Sequence, residues 1–230
     1  MIIARTMEFL AFGVLLLAPL MHAQDLSGYR EFRLGSDLKF IANQTGMATS
    51  DAKTIHLRPA LIQELEWHSG RQVGPASKEP DSVSEIRFSF YNGDLFQILV
   101  RYDRDKTEGL TDADLIAAIS EQYGLATRPM RRNITFSSSS VYNDKERIIA
   151  CWEDTQYSFN LYRSSFQPTF GMVVFAKKLD VLARAAIASA IRLDAQEAPQ
   201  REIDRKTVED RESRLTLEKA RLLNKSTFRP

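Results

Sequence analysis

The stretch VSEIRFSFYNGDLFQILVRY, residues 83–102, decides the fold. Its first half alternates apolar and polar residues, with Ile86, Phe88 and Phe90 on one side, as in a strand that buries one face. Asn92-Gly93 follows, and this pair suits a two-residue turn because both central positions take a positive φ. The return half carries a second apolar row, namely Phe96, Ile98, Val100 and Tyr102. The pattern predicts a β-hairpin.

Two elements are predicted ahead of the hairpin. A strand over Ala60 to Trp67 places Leu61, Leu65 and Trp67 on one face. A short helix opens at Gly35-Ser36-Asp37, with Ser36 as its cap, and ends at Gly46. Its apolar stripe consists of Leu38, Ile41 and Ala42.

A similar order of elements follows the hairpin. Thr111 and Asp114 have the spacing of a capping box, so they predict the start of a helix that Gly124 ends. The inner face of this helix is formed by Leu115, Ile116, Ile119 and Tyr123. Three further strands are predicted over Arg147–Trp152, Gln156–Arg163 and Thr169–Ala176.

A closing helix is predicted over roughly residues 179–193, packed on the sheet. Its apolar stripe is Leu179, Leu182, Ala186, Ile187, Ala190 and Ile191. Residues 196–200 have the composition of a linker, and a highly charged segment follows. Val208, Leu215 and Leu222 recur every seven residues in that segment, but the companion heptad positions are charged. Both a solvated, partly helical tail and a helix docked on a partner stay open.

Together these patterns predict an α+β fold, in which helices pack on one face of one or more antiparallel sheets. The order helix, three strands, helix, three strands suggests two repeated helix–βββ units. We therefore expect a signal peptide over residues 1–23, a first unit over 24–106, a second unit with the closing helix over 107–193, and a charged tail over 194–230, helical or disordered.

The first two dozen residues predict export. Arg5 precedes an apolar run of about 13 residues from Phe9 to Met21, and Ala23 follows as a small residue at which a peptidase can cut. A spanning helix needs roughly 20 apolar residues, so the run falls in the range of a signal peptide. After cleavage no transmembrane segment is expected. The predicted location is periplasmic or extracellular.

Composition argues against several classes of function. Lysines and arginines number 31 against 30 aspartates and glutamates, so no overall basic field points to nucleic acid. Cys151 is the sole cysteine, and two histidines remain beyond the leader, which is a poor basis for a metal site. We expect no metal, no cofactor and no internal disulfide. Cys151 is expected to be a small buried residue, and an intermolecular disulfide is the alternative that stays open.

The outer face of the predicted sheet is the main candidate site. Aromatic and arginine side chains on a solvent-facing sheet are typical anchors of protein interfaces. The candidate binding residues are Arg87, Tyr91, Arg101, Tyr162 and Phe175. They predict a non-catalytic binding protein whose partner is another envelope or secreted protein, held by the sheet face or by the tail. The oligomeric state is left open.

Two hypotheses from other classes stay open. A secreted hydrolase would place a site at the strand ends, near Trp67-His68 and Trp152-Asp154, with His68 beside a carboxylate and a hydroxyl. A carrier of apolar ligands would need an interior space of several hundred Å3 between sheet and helices. The many large aromatic residues favour a filled interior instead.

The segment Phe32-Arg-Leu-Gly-Ser-Asp-Leu38 before a short helix, followed by strands around an Asn-Gly hairpin, resembles the unit of the BamE/SmpA outer-membrane assembly lipoproteins. Two such units in tandem resemble the β-lactamase inhibitor proteins. The resemblance covers roughly residues 30–178, and it implies helices on one sheet face and partner binding on the other. The chain lacks the lipid-accepting cysteine of the first family and the paired cysteines of the second.

Overall fold

The computed structural model describes residues 25–69, 82–127, 147–164, 169–227 and 229. The predicted signal peptide lies outside these residues. The described part confirms the α+β class, with one seven-stranded antiparallel sheet, a separate two-stranded hairpin and four helices. The strands are β1 Gly28–Tyr29, β2 Phe32–Arg33, β3 Lys53–His56, β4 Ile62–His68, β5 Val83–Tyr91, β6 Asp94–Tyr102, β7 Arg147–Glu153, β8 Tyr157–Arg163 and β9 Phe170–Ala176. The helices are α1 Leu38–Thr45, α2 Arg104–Thr107, α3 Asp112–Tyr123 and α4 Lys177–Thr227.

The large sheet has the strand order β3-β4-β5-β6-β9-β8-β7. The strands before and after α3 therefore belong to one sheet, joined where residues 97–101 of β6 pair with residues 171–175 of β9. The sequence patterns predict β4 to β9 but not the short strands β1, β2 and β3. Such two- to four-residue strands are too brief to show an alternating pattern.

The predicted hairpin is confirmed as β5 and β6. Asn92 and Gly93 have φ values of 50° and 94°, which the two-residue turn requires. A β-bulge corrects the predicted row on β6, because Ser89 pairs with Gln97 while Phe90 pairs with Leu95. Phe96 is the extra residue, so it joins a separate apolar cluster and Leu95 enters the main core in its place.

The two faces of the sheet are covered differently. Residues of α1 and α3, such as Ile41 and Tyr123, share the main core with Phe88 and Phe159, and we call this side of the sheet the inner face. On the opposite, outer face, α4 places Ala183 against Ile62 and Phe96 of the sheet. The expectation that helices pack on one face thus holds for α1 and α3 and is wrong for α4.

The N-cap of α1 is Asp37, not the predicted Ser36. The Asp37 side chain accepts a hydrogen bond from the backbone N–H of Phe40 at 2.6 Å, and Gly46 ends the helix at φ 68° as predicted. Ser36 is held by the sheet instead, because its carbonyl accepts from the backbone N–H of Leu95 at 2.9 Å. This backbone pairing places the cap one residue later than the sequence pattern suggests.

We expect Asp37→Ala to lower the free energy of unfolding by about 1 kcal/mol, since a lost N-cap leaves a helix N–H without its partner. Ser36→Ala is the matched control, and its effect is expected to stay within about 0.5 kcal/mol because only the backbone of Ser36 makes the contact described. Urea denaturation of both variants measures the difference. Equal losses from the two variants would contradict the assignment of Asp37 as the cap.

The prediction for α3 is confirmed in detail. The Thr111 hydroxyl accepts from the backbone N–H of Asp114, and the Asp114 carboxylate accepts from the backbone N–H of Thr111 at 2.8 Å. Leu115 and Tyr123 are buried, and Ile116 and Ile119 pack against the same core. Gly124 follows as the C-cap, with φ 76°.

Helix α4 is longer than predicted. It runs without a break over 51 residues, so the interpretation of residues 196–200 as a linker is wrong. Pro199 lies inside the helix. An ion pair at 2.8 Å joins Asp194, which precedes the proline, to Arg201, which follows it. The predicted stripe is also corrected, because Leu182 and Ile191 are more than half exposed while the intervening Ala183 is fully buried.

Asp180, in the first turn of α4, is an unusual buried charge. Its Oδ2 accepts from Arg184 at 2.7 Å, but its Oδ1 is buried and has no hydrogen-bond partner. Burial raises the pKa of Asp180 above its ordinary value, although Arg184 acts in the opposite direction. The folded state therefore holds this proton more tightly than the unfolded state does, and stability is lost as the pH rises from about 4 through the raised pKa.

We expect Asp180→Ala to be at least as stable as the native protein at pH 7, despite the loss of its bond to Arg184. It should also lack the part of the pH dependence that the Asp180 proton causes. Unfolding free energies measured by denaturant between pH 4 and pH 7 test both points. A variant that loses stability at pH 7 by more than about 1 kcal/mol would show that the ionised carboxylate is a net stabilising group.

Candidate functional site

Three of the five predicted site residues, Arg87, Arg101 and Tyr162, belong to one network of contacts. Glu85, which is not among the predicted residues, joins the two arginines. Glu85 lies between two arginines, 3.2 Å from Arg87 and 2.8 Å from Arg101. Tyr162 makes a side-chain hydrogen bond with Arg101. The Glu85 side chain is only 11% exposed, so this row across the outer face is an internally paired network.

Charges on the strand next to β5 extend the network. Glu66 on β4 lies 3.3 Å from Arg87 and 3.8 Å from His68. Burial acts to raise the pKa of Glu66, but hydrogen bonding and the positive charge of Arg87 outweigh it, so the pKa is lowered. Likewise, burial acts to lower the pKa of Arg101, but the carboxylate of Glu85 raises it above its ordinary value. The arginines of the outer face therefore already have carboxylate partners within the fold.

The aromatic residues of the predicted site are less accessible than expected. Tyr162 is only 5% exposed, and half-buried Phe175 packs with it in a small apolar cluster on the outer face. Half-buried Tyr91 lies apart from them, in the cluster that α4 covers. The expectation of open aromatic anchors on this face is corrected, because α4 packs against part of it and neighbouring side chains pack against each other.

Cys151 also lies on the outer face, paired in register with Asn160. It is half-buried rather than fully buried, and its Sγ donates to Asn160 Oδ1 at 3.1 Å. Asn160 in turn donates to the hydroxyl of Ser158 at 3.0 Å. The thiol is thus part of a polar contact, which corrects its prediction as an apolar core residue.

The two stretches proposed for a hydrolase are far apart. His68 is at one end of β4, and Glu153 is at the opposite end of β7, five strand spacings away across the sheet, which is roughly 24 Å. His68 is half exposed and contacts Glu66, whereas the Asp154 carboxylate closes a turn by accepting from the backbone N–H groups of Gln156 and Tyr157. No single site contains both stretches.

Trp152 has a structural partner. Its side chain is 1% exposed in the main core, and its indole N–H donates to the carbonyl of Gly124 at 2.7 Å. The bond ties β7 to the end of α3. This explains why a tryptophan stands beside two carboxylates without forming a cleft with them.

A pocket that the sequence analysis did not predict lies between α3, the β1–β2 hairpin and the sheet. It has a volume of about 300 Å3. The residues that line it come from strands β6 and β9 and from four other segments, namely the β1–β2 hairpin, the residue before β5, the stretch from α2 to Leu110, and α3. They are Tyr29, Arg30, Ser82, Tyr102, Lys106, Thr107, Leu110, Leu115, Ala118, Ile119, Gln122, Tyr123 and Met172. We call it the tyrosine pocket.

The β1–β2 hairpin positions one wall of the tyrosine pocket. Phe32 anchors the hairpin, because its ring lies 4.8 Å from that of Phe88 in the main core. Tyr29 is buried and pairs with Phe32 across the two-residue turn. Arg30 is the first turn residue, with a φ of 54°, and its guanidinium lies 5.4 Å from the centre of the Tyr29 ring. The turn therefore brings a cation to the mouth of the pocket.

Two of the tyrosines that line the pocket, Tyr102 and Tyr123, have raised pKa values. The pKa of Tyr102 is raised well above its ordinary value. Burial is the largest cause, and the neighbouring Tyr29 acts in the same direction. Burial also raises the pKa of Tyr123, against a smaller opposite effect of the hydrogen bond from the backbone N–H of Arg30 at 3.5 Å. The residues that line the pocket include two cations, Arg30 and Lys106, and no carboxylate.

Part of this pocket has a signal in the sequence. Tyr102 and Tyr123 end two apolar rows that predict inward-facing side chains. The wall formed by Tyr29 and Arg30 has no such signal, because two-residue strands leave no periodic pattern.

Two further classes of feature do not occur in the described residues. No group of three or more histidine, cysteine, aspartate or glutamate side chains is arranged to hold a metal ion there. No helix in the described ranges combines the length and the apolar character that crossing a membrane requires.

Comparisons of the chain with models of protein families, with curated proteins and with solved structures find no significant match. The resemblance of residues 30–178 to the BamE/SmpA lipoproteins and the β-lactamase inhibitor proteins therefore stays a prediction.

Proposed function

We propose that the protein is an exported, non-catalytic binding protein that docks another envelope or secreted protein through the exposed part of α4. The single observation that carries the proposal is this part of the helix, residues 198–227, which we call the C-terminal arm. Every residue of the arm is exposed. The helix continues for about 45 Å beyond its last described contact with the sheet domain.

The base of the arm is fixed on the domain. Ala183 and Ala190 of α4 are buried, and Glu197 forms an ion pair with Arg58 in the segment between β3 and β4. His56, at the end of β3, lies 3.9 Å from Asp194. A helix held in this way at its base presents the arm in a defined direction, which reduces the ordering that a partner must impose.

The distal half of the arm favours an acidic partner. Residues 213–227 contain four basic residues and one acidic residue, whereas residues 198–212 contain four basic and five acidic residues. Leucines stand among the basic residues of the distal half, and all are at least half exposed: Leu215, Leu217, Leu222 and Leu223. Exposed leucines beside basic residues are typical of helices that lay an apolar face into a groove with an acidic rim.

Three versions of the mature chain from Gln24 test the proposal: the full chain, a chain that ends at Gln200, and a full chain with Leu215, Leu222 and Leu223 changed to serine. The partner is captured from the envelope or culture fraction with the full chain, identified, and purified. We expect a one-to-one complex with the full chain and at least a hundred-fold weaker binding by both variants. The chain ending at Gln200 keeps the Arg58 contact with Glu197, so its domain stays intact.

Two other measurements test whether the arm binds something other than a partner protein, namely a second copy of the chain or a membrane. Sedimentation of the isolated full chain shows whether the arm pairs with a second copy, and flotation with vesicles containing anionic lipid shows whether it lies on a membrane. Either result, combined with no loss of partner binding in the variants, would contradict the proposal. Export is tested separately by the intact mass of the native protein, which should correspond to a chain that begins at Gln24.

A further inference from the structure

We propose that the tyrosine pocket binds a small organic carboxylate with an apolar body of about ten carbon atoms. The inference is independent of the C-terminal arm, because none of the residues that line the pocket lies on α4. Its volume of about 300 Å3 is at the lower end of the roughly 300–1,000 Å3 of small-molecule sites. A dry cavity of about 150 Å3 holds benzene, so the space suits two rings or a medium-length chain.

Apolar residues at the base of the pocket would contact the apolar body of the ligand. Met172 is fully buried, and Leu115, Tyr29 and Tyr123 are each less than a tenth exposed. The mouth is open to solvent, with exposed residues from four segments around it: Arg30, Ser82, Lys106, Ala118 and Gln122. An apolar base below a polar mouth is the arrangement that amphiphilic ligands need.

Two cationic side chains at the mouth of the pocket would pair with the carboxylate of the ligand. Arg30 and Lys106 come from different segments, the β1–β2 turn and α2, and both line the pocket. Lys106 is an exposed residue of α2. Tyr102, whose side chain hydrogen-bonds with that of Tyr29, also lines the pocket.

Arg30 gives a separate reason to regard this side chain as functional. Its φ of 54° is in the left-handed region, where a non-glycine residue costs about 1 kcal/mol or more. Glycine is the residue that this turn position favours for stability alone. The chain instead places there an exposed guanidinium that lies over a pocket tyrosine.

Calorimetric titration of the full mature chain with decanoate tests the inference, with 1-decanol as an uncharged control. We expect decanoate to bind at least ten-fold more tightly than decanol. Arg30→Gly and Lys106→Gln should each weaken decanoate binding about ten-fold, since each removes a charge-assisted contact. Arg104→Gln is the matched control for charge, because Arg104 is an exposed residue of the same short helix α2 that does not line the pocket. It should bind decanoate like the native chain.

The Arg30→Gly variant separates binding from folding. Because glycine relieves the positive φ, its thermal midpoint should equal or exceed that of the native chain while its affinity for decanoate falls. Ala118→Trp on the exposed side of α3 should block the mouth and abolish binding of decanoate and decanol alike. Unchanged binding by Ala118→Trp, equal affinity for decanoate and decanol, or no binding of decanoate would each overturn the inference.

Discussion

Gly171→Ala is expected to lower the free energy of unfolding by about 2–3 kcal/mol, although the change adds only one methyl group. Gly171 is on β9, directly opposite Tyr162 on β8 and Arg101 on β6. A Cβ at this position would lie 2.3 Å from the Cζ and hydroxyl atoms of Tyr162, well inside van der Waals contact. The glycine thus provides the space through which the tyrosine reaches Arg101.

The tyrosine cannot move aside cheaply, because it is only 5% exposed and packs with Leu99 and Val173. A double-mutant cycle isolates the clash. In a Tyr162→Ala background, Gly171→Ala should cost less than about 0.5 kcal/mol, since the obstructing ring is gone. Denaturant unfolding of the two single variants and the double variant gives the coupling energy. A cost that persists in the Tyr162→Ala background would place the strain in the backbone of β9 instead.

Glu85→Gln is expected to cost about 3 kcal/mol, because it leaves two arginines without their shared buried carboxylate. Most of the cost is expected at Arg87, because its side chain is only 17% exposed and water cannot replace the lost carboxylate there. The Arg101 side chain is about half exposed, so its charge can be hydrated. The neutral amide keeps the shape of the side chain. The loss therefore reports the charge interaction rather than a cavity.

Glu66→Gln is the matched control for Glu85→Gln. Glu66 also pairs with Arg87, but its side chain is 46% exposed, so we expect a cost below about 1 kcal/mol. The unfolding free energies of both variants should be measured at low salt and at 1 M salt. Salt should reduce the effect at Glu66 more than the effect at Glu85, because buried pairs are screened less. Equal costs at the two positions would contradict the central role of Glu85.

The sequence predicts those parts of the fold in which one local pattern is strong. The Asn92-Gly93 turn and the Thr111–Asp114 capping box need no distant partner, and the structure confirms both. The bulge at Phe96 could not be predicted, because it depends on how β5 and β6 pair. The course of α4 was also beyond the pattern, since Ala183 is buried only because Ile62 and Phe96 face it.

The candidate sites were less predictable than the fold. Alternation placed Arg87, Arg101 and Tyr162 on one face, but it could not show that Glu85 on the same face pairs with both arginines. The tyrosine pocket is lined by residues about 140 positions apart in the chain, from Tyr29 to Met172. Such a site is created by tertiary packing alone, and no local pattern encodes it.

The joining of β6 and β9 has a consequence for assembly of the sheet. A chain that ended before Phe170 would leave the edge of β6 that normally pairs with β9 unpaired along residues 97–101, and such an edge is a template for pairing with other chains. The outermost strands carry the opposite property, because β3 and β7 each contain an irregularity in their pairing, at residues 54–56 and 148–150. Irregular edges resist intermolecular pairing. The risk of aggregation is therefore greatest at the centre of the sheet, during the interval before β9 docks.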